Sequence, residues 1–112
     1  MLEFEKIWEM IEEKNKRYAY DEEYRQLLHE VYRSALKYVG MRVEWNWMTL
    51  EQKQEKDSLR TSFHDGFMTN YNVLGRYVSK ILKDSLPELP EDRKDAGDFA
   101  CYICYRLGVD AR

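Results

Sequence analysis

The amino-acid sequence predicts an all-α fold, a four-helix bundle formed as a single domain by residues 1–112. Three observations carry the prediction. Apolar residues recur at three- and four-residue intervals in four segments, capping and breaking residues fall between those segments, and the one alternating segment has no second strand to pair with.

Phe4, Ile7, Trp8 and Ile11 share a helical face, which predicts a first helix over about residues 2–15. The basic and aromatic connector KNKRYAY, residues 14–20, follows it. Asp21 is placed to cap a second helix whose apolar stripe runs through Tyr24, Leu27, Leu28, Val31, Ala35 and Val39, with Gly40 as its stop. In GMRVEWNWMT, residues 40–49, Met41, Val43, Trp45 and Trp47 alternate with polar residues, yet Leu36, Val39, Val43, Trp47 and Leu50 also share a helical face. A lone strand cannot satisfy its backbone, so this stretch is expected to be helical or irregular.

Thr49 and Gln52 form the pattern of a capping box and open a third helix. Its stripe is Leu59, Phe63, Asn70, Leu74, Tyr77, Val78 and Ile81, with Phe67 beside it. Pro87 and Pro90 in SLPELPED, residues 85–92, cannot continue a helix interior. The last helix carries Ala96, Phe99, Ala100, Ile103, Cys104 and Leu107, and Gly108 followed by Val109 suits its C-terminal stop. Gly66, Gly75 and Gly97 each cost about 1 kcal/mol relative to alanine inside a helix, which predicts close approach of another helix or a partner to offset them.

The chain is 44% hydrophobic and 35% charged, the composition of a charged globular domain rather than a disordered one. Its net charge of −3 disfavours a polyphosphate partner, so nucleic acid is not the expected ligand. The longest apolar run, FACYICY at 99–105, is far short of the roughly 20 residues that span a bilayer. The acidic start, MLEFEKIWEM, lacks the positive charge of a signal peptide. A cytoplasmic protein with no membrane association is expected, with Cys101 and Cys104 as reduced thiols.

His64 and Asp65 stand side by side, with His29 35 positions upstream and Asp98 34 positions downstream of His64. That order of ligands resembles the HD phosphohydrolases, which implies a metal-dependent hydrolase. Helical phase instead puts His64 at the flank of its stripe, Asp65 nearly opposite the core and Asp98 across from Phe99, Ala100 and Ile103, so no metal site is expected. Arg60 and His64, like Arg25 and His29, also resemble the arginine–histidine pair of HEPN-type RNases, with one intervening residue too few. An HD-like or HEPN-like enzyme using His64 is therefore the alternative function; no catalytic residue and no cofactor are assigned.

The CYIC pair lies inside the last helix, without two further zinc ligands and away from a helix N-terminus, and reads as buried structural cysteine. Lys14, Lys16 and Arg17 beside Tyr18 and Tyr20 could pair phosphates and stack bases, but basic residues also favour helix C-termini.

EKDSLRTSFHDGF and DRKDAGDFACYI resemble segments of an uncharacterised, domain-of-unknown-function family of small helical proteins from Gram-positive bacteria and their prophages or mobile elements. The resemblance implies a cellular context and no activity. The polar residues of these stretches, Asp57, Arg60, His64, Asp92, Arg93 and Asp95, are expected to form inter-helix ion pairs that set bundle register. Nine tyrosines and three tryptophans exceed what a small core readily hides, and exposed Tyr and Trp anchor interfaces. The expected function is protein–protein interaction or self-association, with a protein partner or a homo-oligomer bound through Trp45, Trp47, Tyr102 and Tyr105.

Overall fold

Four helices connected by short turns and one longer strap make up the computed structural model, which describes residues 3–108. Among the described residues there is no strand, and the architecture is an all-α four-helix bundle.

Helix α1 (Phe4–Arg17) buries Trp8 and Ile11 and ends in Lys14, Lys16 and Arg17, which face the negative end of the helix dipole. Helix α2 (Glu22–Trp45) starts at Asp21, whose carboxylate accepts from the Tyr24 amide at 2.8 Å. The expected stop at Gly40 does not occur. Val39 and Met41 are buried on either side of it, and their packing outweighs the roughly 1 kcal/mol that an interior glycine costs. The alternating segment is therefore helical as far as Trp45 and turns only at Asn46–Thr49.

Helix α3 (Leu50–Lys80) opens with the capping box: the Gln52 amide donates to Thr49 Oγ1 at 3.2 Å and the Thr49 amide to Gln52 Oε1 at 2.9 Å. At 1.5 Å per residue its 31 residues reach about 46 Å, which accounts for the 47 Å long dimension of the molecule. It ends seven positions before Pro87, where Lys83 turns at φ 54° and the Asp84 amide donates back to Val78 O. The strap of residues 81–92 then returns along α3: Tyr71 Oη donates to Pro87 O, Leu89 is buried, and Arg93 reaches Thr61. Helix α4 (Arg93–Leu107) is capped by Asp92 through the Asp95 amide and closed by Gly108 at φ 71°. Val109 lies outside the described residues.

Helices α2 and α3 form an antiparallel hairpin, with Tyr38 against His64 and Phe67, Asn70 Nδ2 donating to Glu30 O and Tyr77 Oη to Asp21. Helix α1 runs antiparallel along the first half of α2, with Trp8 beside Tyr32 and Asn15 linking Tyr24 and Tyr32. Helix α4 closes the bundle through Phe99 and Tyr102 against Phe4 and through Asp98 against Arg42. Of the nine tyrosines only Tyr20 and Tyr105 are exposed. The core hides more aromatic side chains than their number suggests because buried phenols find acceptors such as Asn15 Oδ1 and Pro87 O.

The glycines divide. A β-carbon at Gly97 would meet the Arg42 guanidinium at 2.8 Å and Tyr38 Oη at 3.0 Å, whereas none at Gly66 or Gly75 would meet anything within 4 Å. Close approach thus explains Gly97 and not the other two.

Candidate functional site

The seam between α2 and α3 is built from two stripes at four- and three-residue intervals. On α2 it runs Val31, Ala35, Tyr38, Arg42, Trp45; on α3 it runs Val78, Leu74, Tyr71, Phe67 and then His64 and Arg60. One end of the seam is apolar and buried. Toward the α2–α3 corner it becomes polar, and that change of chemistry at core-facing positions defines the candidate site.

His64 is therefore turned inward rather than lying at the flank. Its ring stands edge-on to Tyr38 with centroids 5.4 Å apart, and its side chain is only 16% exposed. Nδ1 lies 3.1 Å from Asp65 Oδ1, the Asp65 side chain itself being 67% exposed, while Nε2 is buried without a hydrogen-bond partner. Leu59 and Ile81, expected on the stripe, are 40% and 63% exposed, and Phe67, expected beside it, is fully buried.

One turn nearer the corner, the Arg60 guanidinium lies over the Trp45 indole, 4.4 Å from the ring centroid. Its Nε is also buried without a partner. Across the seam Arg42 donates from Nη2 to Asp98 Oδ1 at 3.1 Å and from Nη1 to Cys101 Sγ at 3.3 Å, its guanidinium covering Gly97. Arg42, Trp45, Asn46, Arg60, Asp98 and Cys101 line a cavity of about 340 Å³. Two guanidiniums face one carboxylate there, so the cavity carries a net positive charge inside a chain that is negative as a whole.

The anticipated interface residues separate into two places. Trp45 is half-buried and forms the floor under Arg60, and Trp47, in the turn that follows, is 84% exposed. Leu50, at the first position of α3, is 75% exposed. Tyr102 is half-buried against Phe4 and Tyr105, while Tyr105 is 75% exposed. The first pair stands at the corner; the second faces the start of α1.

His29 is exposed on α2, Asp65 points out and Asp98 is engaged with Arg42, so the four residues of the HD-like pattern do not come together. Among the described residues no group of three or more His, Cys, Asp or Glu side chains could hold a metal ion. The anticipated ion pairs of Asp57, Arg60, His64, Asp92, Arg93 and Asp95 also take another form. Asp92 caps α4, Arg93 donates to Thr61, Arg60 stacks on Trp45 and Asp57 is exposed. The pairs that tie elements together among the described residues are Arg42–Asp98, Arg106–Glu12 and the contacts of Lys14 and Arg17 with Asp84.

Those last contacts use up much of the basic connector. Lys14 Nζ and Arg17 Nη1 each lie 2.9 Å from Asp84, and Tyr18 Oη donates to it at 2.6 Å. Hydrogen bonds from Tyr18 and Lys14 hold the Asp84 carboxyl well below the usual carboxylate range. Lys16 and Tyr20 remain exposed. Cys104 is buried, and burial pushes its thiol up to about 11; Cys101 is half-buried in the cavity wall.

Arg42 was not among the residues singled out from sequence. Its signal was present: with α2 continued past Gly40, it follows Val31, Ala35 and Tyr38 on one stripe. No protein-family model, no curated protein and no solved structure matches the chain.

Proposed function

We propose that this chain is a protein-interaction module whose docking surface is the α2–α3 corner. The observation that carries the reading is the exposure of Trp47 in the connecting turn and of Leu50 at the first position of α3, 84% and 75%, three residues apart at one corner. Large apolar side chains on a corner gain about 1.5–3 kcal/mol each when buried, and tryptophan is among the residues that dominate interface energetics. Tyr105, exposed near the start of α1, offers a secondary contact. Among the described residues no helix is long and apolar enough to cross a membrane, which accords with a cytoplasmic setting. A bacterial or prophage origin accords with the resemblance carried by the stretches around His64 and Phe99.

The test replaces Trp47 and Leu50 together by serine. Thermal stability should change by less than about 0.5 kcal/mol, as for surface substitutions generally, while a stoichiometric partner captured from the host, or self-association in sedimentation, is lost. A variant that binds like the wild type removes the corner from the reading.

A hydrolase using His64 is a second reading, favoured by the orientation of its imidazole by Asp65. The enclosed Nε2 weighs against it, because a general base must reach the proton it takes. RNA cleavage or phosphoester hydrolysis by the wild type that disappears in His64→Ala would revive it.

A further inference from the structure

We infer that the polar end of the α2–α3 seam binds a carboxylate, an acidic side chain carried by the protein that docks on the neighbouring corner. The inference rests on the proposed docking reading and adds the chemistry of the partner.

Arg60 is the starting point. Among the described residues it forms no ion pair. Its Nε is enclosed with no acceptor inside the protein, and its guanidinium carbon lies 4.4 Å over the centre of the Trp45 ring. A guanidinium packed against an indole has little side-chain freedom left to lose, and with Nε enclosed it is the terminal Nη pair on the cavity wall that would form the fork to a planar oxyanion.

Size and charge narrow the ligand. A cavity of about 340 Å³ is at the small end of ligand pockets and suits one side chain better than a nucleotide or cofactor. Arg42 and Arg60 against Asp98 leave one net positive charge, which a monoanion neutralises. A phosphate dianion would exceed that charge and would face the Asp98 carboxylate on the same wall. The cavity reaches Asn46, the residue next to Trp47, so an acidic side chain flanked by apolar ones could fill the cavity and cover the corner together.

The probe is a blocked tripeptide with glutamate between two leucines, compared with its glutamine counterpart and with inorganic phosphate. The readouts are the Arg60 Nε–H resonance and titrated affinity. The glutamate peptide should shift that resonance saturably and bind at least about tenfold more tightly than the glutamine peptide, as a charge-assisted bidentate contact requires. Arg60→Gln should abolish the preference, and Arg60→Lys, which keeps the charge without the fork, should weaken it; retained helicity in either variant guards against misfolding. Equal binding of the two peptides, an Arg60 signal moved by phosphate but not by the glutamate peptide, or a preference unchanged in both Arg60 variants would overturn the inference. If the serine double variant at Trp47 and Leu50 loses a partner while the two peptides bind alike, the carboxylate inference fails and the docking reading stands. If glutamate is preferred but that variant loses no partner, the docking reading fails and the carboxylate site stands.

Discussion

Replacing Gly97 by leucine tests the closest packing in the site. Gly97 is buried, and a β-carbon there would lie 2.8 Å from the Arg42 guanidinium and 3.0 Å from Tyr38 Oη. Overpacking of this kind costs about 1–3 kcal/mol. Arg42 would have to swing off Asp98 and Cys101, and its partly exposed ion pair adds about 0.5–1 kcal/mol to the loss. Removing a helical glycine returns nearly 1 kcal/mol of propensity, which leaves a net destabilisation of about 0.5–3 kcal/mol. At roughly 4 °C per kcal/mol for a domain of this size, the midpoint of a thermal melt followed by circular dichroism should fall by about 2–12 °C. Gly75→Ala supplies the contrast, because open space surrounds its β-carbon; it should raise the midpoint by about 2–4 °C through propensity alone. A Gly97→Leu variant as stable as wild type would show that Arg42 does not lie across α4, and the cavity described above would lose one wall.

Asp84→Asn should destabilise the protein at neutral pH by releasing Lys14, Arg17 and Tyr18 from a shared anchor. Because the folded-state pKa of Asp84 is depressed, its stabilisation is present above the ordinary carboxylate value near 4 and is lost as pH falls below it. The stability gap between wild type and the asparagine variant, measured by urea titration, should therefore narrow below about pH 4; a gap independent of pH would contradict the cluster. The Cys104 thiol, pushed up to about 11, should carry roughly 100-fold less thiolate at pH 8 than an unperturbed cysteine. Native protein should accordingly show one slow and one faster thiol toward a disulfide reagent, and equal rates matching those of the denatured chain would argue against burial.

The existence of all four helices was legible because their ends are written locally. Asp21, the Thr49–Gln52 pair and Gly108 each act within a few residues of themselves, and each stands where expected. The phase of α3 was not legible by the same means. A straight helix at 3.6 residues per turn drifts by about 20° per heptad relative to a seam that repeats every 3.5 residues. Reading one stripe from Leu59 to Ile81 therefore accumulates roughly 60° of error between its ends, which puts the two exposed residues at those ends in the core. Arg42 was hidden by the weight given to Gly40, since only the packing of Val39 and Met41 shows that the helix continues. Trp47 was identifiable as a candidate anchor, but nothing local tells that Trp45 turns inward under Arg60 while Trp47 turns out.

The polar half of the seam makes a further demand on stability. Every other α3 seam position from Phe67 to Val78 holds an apolar or aromatic side chain less than 5% exposed, whereas His64 occupies an equivalent position with Nε2 buried and unpartnered. Leaving such a group unsatisfied costs about 1–3 kcal/mol, against which the Asp65 contact, exposed at the surface, returns well under 1 kcal/mol. His64→Leu removes the orphaned nitrogen and extends the apolar stripe toward Tyr38, so it should stabilise the fold by about 0.5–2 kcal/mol in chemical denaturation. A loss of more than about 1 kcal/mol would mean that the imidazole is satisfied in solution and is part of the structural framework. Stabilisation would instead identify His64 as a residue the fold does not need, and would shift the explanation for its presence at the seam toward what binds beside Arg60.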